Sequence, residues 1–254
     1  MHSFRILFFQ ELRQLVFSPA THVAALIFSI LTAIFYWSIL EGYTLSPQKD
    51  LPGFAFFHFF WFFSFFIVPL LTMRSIAEER RSGTLETLLT TPTSAASLIA
   101  AKFSATYLVY LGFWILTLGF PLLAIRSTTL RSSTDILLDP SAITGGLAFI
   151  ALSGTLFISI GIFASSLTRS QLVAAMLTVI TLFAVIVGGR LLSTVAFSWS
   201  SQYPFLDSAV EYLQVYEHLI DFCRGIFDTR PVVYYLSNTG LLLGLSTLVV
   251  RHKA

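Results

Sequence analysis

Six stretches of this chain, approximately 20–40, 54–73, 103–125, 142–167, 171–189 and 232–250, are each apolar over the length of a membrane crossing. A hydrocarbon core of roughly 30 Å takes about 20 helical residues, so these runs dictate an all-α integral membrane protein with six transmembrane helices. Composition agrees, since a mean hydropathy of +0.81 over 254 residues leaves too little polar surface to coat a water-soluble globule. The fourth and fifth runs are nearly continuous, but as one helix they would be about twice the length a bilayer accommodates. The polar patch Ser165, Ser166, Thr168, Arg169, Ser170 and Gln171 therefore reads as a tight turn.

Lys and Arg then set the orientation. Nine of them (Arg5, Arg13, Arg74, Arg80, Arg81, Lys102, Arg169, Arg251, Lys253) fall on one side and six on the other, which predicts that the nine-residue side and both termini are cytoplasmic. Glu11 and Arg13 interrupt the early apolar stretch, so no cleaved signal peptide is expected. A net charge of +2, placed at helix ends, gives no reason to expect a nucleic-acid partner. The single cysteine, Cys223, forms no internal disulfide. No repeat or linker divides the chain, and residues 1–254 read as a single transmembrane domain.

Absent motifs constrain the chemistry. The three lysines follow Gln48, Ala101 and His252, so the glycine-lysine pair of a P-loop is missing. The histidines at 2, 22, 58, 218 and 252 never fall three or four apart, as two metal ligands on one helical face would. No serine sits in the glycine frame of a nucleophile elbow, and no span holds an interior Asp or Glu. Neither an enzyme nor a bound cofactor or metal is expected. An ion-coupled carrier would have to rely on His22 or His58, both near span ends. Work done by such a chain would enter through a cytoplasmic surface.

One cytoplasmic segment is long enough to supply that surface. Residues 74–92 hold Arg74, Glu78, Glu79, Arg80, Arg81 and Glu86, six charges in a chain that is only 11% charged. Arg74 to Arg81 continue the second span as a charged helix, which Gly83 stops because glycine tolerates the left-handed conformation. Thr84 is expected to cap a new helix with Glu86 in its first turn and Leu85, Leu88 and Leu89 on one face. Pro92 ends it, and Thr93 or Ser94 caps the helix leading into the third span. A loop that only enforces topology would need the arginines alone. The interleaved acids and the stop-and-restart pattern favour docking to a partner.

The stretch ERRSGTLETLLTTP, residues 79–92, resembles the signature of the type 2 permease family of ATP-binding-cassette transporters. FFQELRQLVFSPATHV (8–23) is similar to that family's interfacial connecting helix, and GIFASSLTRSQLVAA (161–175) to its turn between spans four and five. DFCRGIFDTRPVVYYLS (221–237) resembles the approach to its last span in the subgroup of gliding-motility-associated and nitrous-oxide-locus permeases. The resemblance implies a permease in a bacterial plasma membrane, working as a homodimer or heterodimer with a cytoplasmic ABC ATPase that binds ATP and Mg, in the direction of export. Residues 3–17 would form the interfacial helix, and 74–92 the ATPase-coupling segment, through Arg74, Glu78, Glu79, Arg80, Arg81, Gly83, Thr84, Leu85, Glu86, Leu88, Leu89 and Pro92. Charge reversal at Glu79 or Glu86 would then uncouple hydrolysis from transport.

Across the membrane, 208–224 reads as an amphipathic helix, with Tyr212, Leu213, Tyr216, Leu219 and Ile220 on one face and Glu211, Gln214, His218 and Asp221 opposite. Gly225 breaks it, and Asp228 or Thr229 caps the last span. The resemblance implies an extracytoplasmic gate over 205–228, drawing on Tyr212, Tyr216, Asp221, Phe222, Arg224 and Gly225; a helix resting on the bilayer is the simpler alternative. The second span packs ten aromatics between Phe54 and Phe66, so its rings cover every side. Packing and lipid contact account for most of them, with Phe59 and Phe63 as candidate linings of a path for a lipidic substrate. A non-transporting anchor or assembly subunit of a secretion or motility complex would share this topology.

Overall fold

The computed structural model describes residues 2–45, 52–85, 94–120, 140–199 and 214–253. Every regular element among them is a helix: α1 (His2–Val16), α2 (Pro19–Leu45), α3 (Pro52–His58), α4 (Phe60–Thr72), α5 (Ala77–Ser82), α6 (Ala95–Thr117), α7 (Pro140–Leu167), α8 (Gln171–Trp199), α9 (Val215–Cys223) and α10 (Thr229–Lys253). Six segments are long and apolar enough to cross a membrane: Pro19–Gly42, Phe60–Ser82, Ala95–Thr117, Ala142–Leu167, Gln171–Leu191 and Thr229–His252. They coincide with the six apolar runs, and the chain is a multi-pass membrane protein.

One boundary differs from the sequence reading, and one cap agrees with it. The second run breaks at Phe59, which leaves α3 as a separate short helix before α4. Ahead of the third run the helix starts at Ala95, where the Ser94 hydroxyl accepts the Ser97 N–H at 3.1 Å, the expected cap of the helix that leads through Lys102 into that span. The turn between the fourth and fifth spans lies where the polar patch put it, after Leu167 and before Gln171.

Burial separates the spans into a centre and a rim. The windows in Phe60–Ser82, Ala95–Thr117 and Ala142–Leu167 are 61, 56 and 67% buried, against 22, 28 and 17% for the first, fifth and sixth. Helix α7 is the hub and packs against α3, α4, α5, α6, α8, α9 and α10. Small residues permit this, since close backbone approach is what holds helices together when lipid is as apolar as the side chains. At Gly145 an added Cβ would lie 1.8 Å from the Phe222 carbonyl oxygen, so the backbone of α9 rests directly on α7. The aromatic second span divides as its crowding requires: Phe60 and Phe63 are buried, while Phe66 is 59% exposed. Hydroxyls inside the bundle bond to their own helix, as Ser64 does to the Phe60 carbonyl and Ser153 to that of Phe149.

Candidate functional site

The helical path is interrupted after α4, at an elbow that covers residues 73–85. Backbone helicity lapses between Thr72 and Ala77, and α5 then runs for six residues to the left-handed Gly83, whose φ is +73°. The predicted glycine stop is thus present. The Thr84 hydroxyl bonds back to the Glu79 carbonyl at 3.3 Å and to the Ser82 hydroxyl at 2.9 Å, and the chain is helical again at Thr84 and Leu85; the residues that a cap at Thr84 would serve lie outside the described ones. Leu85 is buried. Glu86, Leu88, Leu89 and Pro92 lie outside the described residues.

Three sets of polar contacts fasten the elbow. First, a helix N-terminus leaves backbone N–H groups without intrahelical partners, and those of Ile76 and Ala77 both donate to Ser165 Oγ at 3.0 Å. Ser165 is supplied by the last turn of α7, so one helix caps another in trans. Second, Arg80 Nη1 donates to the Ser166 carbonyl at the C-terminal end of α7, where unpaired carbonyls and the helix dipole favour a cation. Third, Glu79 turns inward. Its Oε1 accepts from Lys102 Nζ at 2.8 Å, and the same ammonium binds Glu11 Oε2 at 3.0 Å. Lys102 is 3% exposed, and its two carboxylate partners are 16 and 21% exposed.

This triad joins three elements, α1 through Glu11, α5 through Glu79 and α6 through Lys102. In a low-dielectric setting the attraction is strong but so is the cost of desolvating each charge, so the group's net stabilisation is small while loss of one member is costly. One end of the bundle therefore gathers α1, the elbow, the start of α6 and the α7–α8 turn into a single polar joint. Glu79 and Arg80, expected to face a partner, are engaged within the chain. Arg74, Glu78, Arg81, Gly83 and Thr84 are exposed.

Sequence reasoning overlooked Lys102, Glu11, Ser165 and Ser166 as parts of this joint, having read the first as a topology charge and the serines as a turn. A signal was present. With α6 begun at Ala95, Lys102 falls on the buried stripe of Leu98, Ile99, Ala105, Thr106 and Val109. Glu11 likewise shares the packed face of Leu7, Leu12 and Leu15.

At the other end of α7 lies α9. Tyr212 and Leu213 fall outside the described residues. The buried face of α9 is Val215, His218, Leu219, Phe222 and Cys223, which corrects the sequence reading that set His218 on the polar side. Its ring lies 3.4 Å from the Tyr235 hydroxyl and packs edge-on against that tyrosine, a partner that only the folded chain supplies. Tyr216 is half-buried between Phe60 and His58, with the Arg190 guanidinium 5.4 Å from its ring centre. Burial pushes its phenol up to about 12, opposed by that cation. Phe222 packs on Phe149, Asp221 is half-buried, and Arg224 is exposed. Gly225, at φ +78°, ends the helix in a Schellman motif: its N–H bonds the Phe222 carbonyl, and that of Ile226 bonds the Asp221 carbonyl. Asp228 Oδ1 accepts the Arg230 N–H at 3.1 Å and caps α10 as expected.

The two candidate path residues do not share a surface. Phe63 is 1% exposed, locked among Phe28, Phe35 and Trp114, so it lines no opening within this chain. Phe59 is half-buried against Phe35 and His58. Of the two histidines weighed as carrier residues, His22 is exposed in the first turn of α2, and His58 ends α3 beside Tyr216.

A family model described as ABC-2 family transporter protein matches residues 41–213, more than half the chain, and this span contains the elbow and the helices from α3 to α8. No curated protein matches the chain.

Proposed function

Because the chain belongs to the ABC-2 family of transporter proteins, we propose that it is the membrane-spanning permease of an exporter driven by a separate cytoplasmic ATPase, which docks on the elbow between α4 and α6. The family implies an ABC ATPase partner. The chain carries no P-loop lysine, so in this reading it hydrolyses no ATP itself, and ATP and Mg belong to the companion subunit. In this reading the membrane is a bacterial plasma membrane, and the elbow and both termini lie in the cytosol, an orientation that the excess of Lys and Arg on that side supports. Two copies, or this chain and a second permease, would complete the transporter. The subgroup likeness of residues 221–237 agrees with this role.

The observation that carries the proposal is the division of labour among the elbow's charges. Glu79 and Arg80 bind inward and make the elbow stiff relative to α1, α6 and α7. Arg74, Glu78 and Arg81 remain on its outside, where a partner can grip them. Closure of the ATPase would push on this face, and the polar joint would pass the displacement to α1 and α7 together instead of letting a loose loop absorb it. In this reading α1 lies along the inner membrane surface beside the docking face, and α9 forms part of the outer gate.

The test is co-purification with the cognate ATPase. Reversing the exposed pair, Glu78→Lys with Arg81→Glu, is expected to abolish stimulated ATP hydrolysis and capture of the ATPase while membrane insertion persists. Unchanged stimulation, or cross-links that place residue 78 on the outer side, would overturn the assignment.

A further inference from the structure

Helix α9 and the start of α10 enclose a recess of about 60 Å³, lined by Glu217, His218 and Asp221 from α9 and by Asp228 and Arg230 ahead of and within the first turn of α10, with apolar side chains between them. His218 belongs to two surroundings at once. It is 8% exposed and lines the recess, and the same ring meets Tyr235, which is fully buried. Nδ1 lies 3.4 Å from the Tyr235 hydroxyl, the two rings meet edge-on with centres 5.9 Å apart, and the Tyr234 ring stands 6.4 Å away. Val215, Leu219, Phe222 and Cys223 complete the buried face of α9, so His218 is the one side chain of that face able to gain a positive charge.

The charges around it are unevenly divided. The recess has three carboxylates, Glu217, Asp221 and Asp228, against a single guanidinium, Arg230, which already lies 3.7 Å from Asp228. On the packed side α10 contributes the phenols of Tyr234 and Tyr235. The other elements packed on α9 are α7, which has no ionisable residue, and α8 and α3, whose Arg190 and His58 attend Tyr216 and do not line the recess. Imidazole is the side chain that ordinarily changes charge between about pH 5 and 8. The neutral ring suits the packed side, where a phenol hydroxyl can pair with a ring nitrogen and no net charge is buried. The imidazolium suits the recess, because a buried charge without a counter-ion is costly and the carboxylates there supply one. A recess of this size has room for water to deliver the proton.

We infer that His218 is a proton-operated latch between α9 and α10. Neutral, it holds α9 on α10 beside Tyr235; on taking up a proton the ring turns to the carboxylates of the recess and α9 loosens. Asp221, three residues on and half-buried, falls on the same side of the helix as an acceptor. The released helix binds the proton more tightly than the docked one, so by linkage acid favours release and a rise in pH favours docking. The latch is a property of this chain alone and needs neither an ATPase nor a particular orientation in the membrane.

Hydrogen exchange of the full-length protein in detergent, compared at about pH 7.5 and about pH 5.5 and corrected for the intrinsic dependence of exchange on pH, tests it. Exchange in α9 is expected to rise roughly fivefold at the lower pH, as a docked ring that holds its proton about tenfold more weakly than the released one requires, while α8 stays as it was. His218→Gln, which can still pair with the Tyr235 hydroxyl and carries no charge, should abolish the response. Asp221→Asn should diminish it and leave exchange at the higher pH unchanged. Equal exchange of α9 at both values overturns the proposal. So does a response that survives His218→Gln, which would belong to the carboxylates, or one shared equally by α8, which would be a general loosening in acid. An undiminished response in Asp221→Asn, a variant that leaves the packed face of α9 intact, overturns it as well.

Discussion

Helix α7 carries a short helix on each end, and the two are attached by opposite means. At one end α5 is held by hydrogen bonds and charges: the Ser165 hydroxyl, the Arg80 bond to Ser166, and the Lys102 bridge to Glu79 and Glu11. At the other, α9 is held by Val215, Leu219 and Phe222, and by backbone lying on Gly145. Polar contacts are directional, nearly cost-neutral as a set, and expensive to break singly. Apolar packing is undirected and additive over area. An attachment of the first kind favours one geometry and can exchange it for another in a discrete step; one of the second kind resists shape change in proportion to what it exposes.

Removing a single charge gives the sharpest contrast. Lys102→Met strands two part-buried carboxylates, and thermal unfolding in detergent should show a loss of up to about 3–5 kcal/mol, the scale for a broken buried ion pair. Adding Glu11→Gln and Glu79→Gln to that variant should restore most of it. No recovery would mean the triad is packing and not electrostatics. At the opposite end the corresponding injury is steric. Gly145→Ala places a methyl group into the Phe222 carbonyl and should cost about 1–3 kcal/mol, as overpacking does. Maleimide labelling should then find the buried Cys223 thiol, with α6 unaffected.

Smaller effects refine the comparison. Ser165→Ala leaves two buried N–H groups unsatisfied, a loss of roughly 1–3 kcal/mol, and hydrogen exchange at Ile76 and Ala77 should accelerate while that in α9 does not. Least visible in stability is the exposed pair: Glu78→Lys with Arg81→Glu should change unfolding by less than about 0.5 kcal/mol and still eliminate stimulated hydrolysis. If that variant instead destabilises as much as Lys102→Met, the outer charges belong to the joint and the inside-outside division fails.

What could be read from the chain depended on the range of each signal. Local chemistry was legible: the six apolar runs, the left-handed turn at Gly83, the end of α9 at Gly225, the cap at Asp228, and the break after Leu167 all arise from a few neighbouring residues. The joint was not, because Lys102 lies 91 residues from Glu11, and a lone lysine at a span end is already explained by topology. The face of α9 was misread for a related reason. With Tyr212 and Tyr216 taken as the apolar stripe, the pattern turns away from His218, and the hydroxyl of Tyr235, distant in sequence, helps to make a histidine welcome inside. The inward ion pair of Glu79 with Lys102 was not legible either, since sequence marks a charge without saying which way it points.

The trans cap on α5 also fixes an order of events during synthesis. Ser165 follows Ala77 by 88 residues, so when the second and third spans enter the bilayer the N–H groups of Ile76 and Ala77 have no hydroxyl to receive them. The elbow can take its final shape only after the fourth helix arrives and brings its last turn alongside. A nascent chain halted before Pro140 would leave that bend unset, open to proteases and quality-control factors, and the fourth helix becomes the point at which insertion turns into folding.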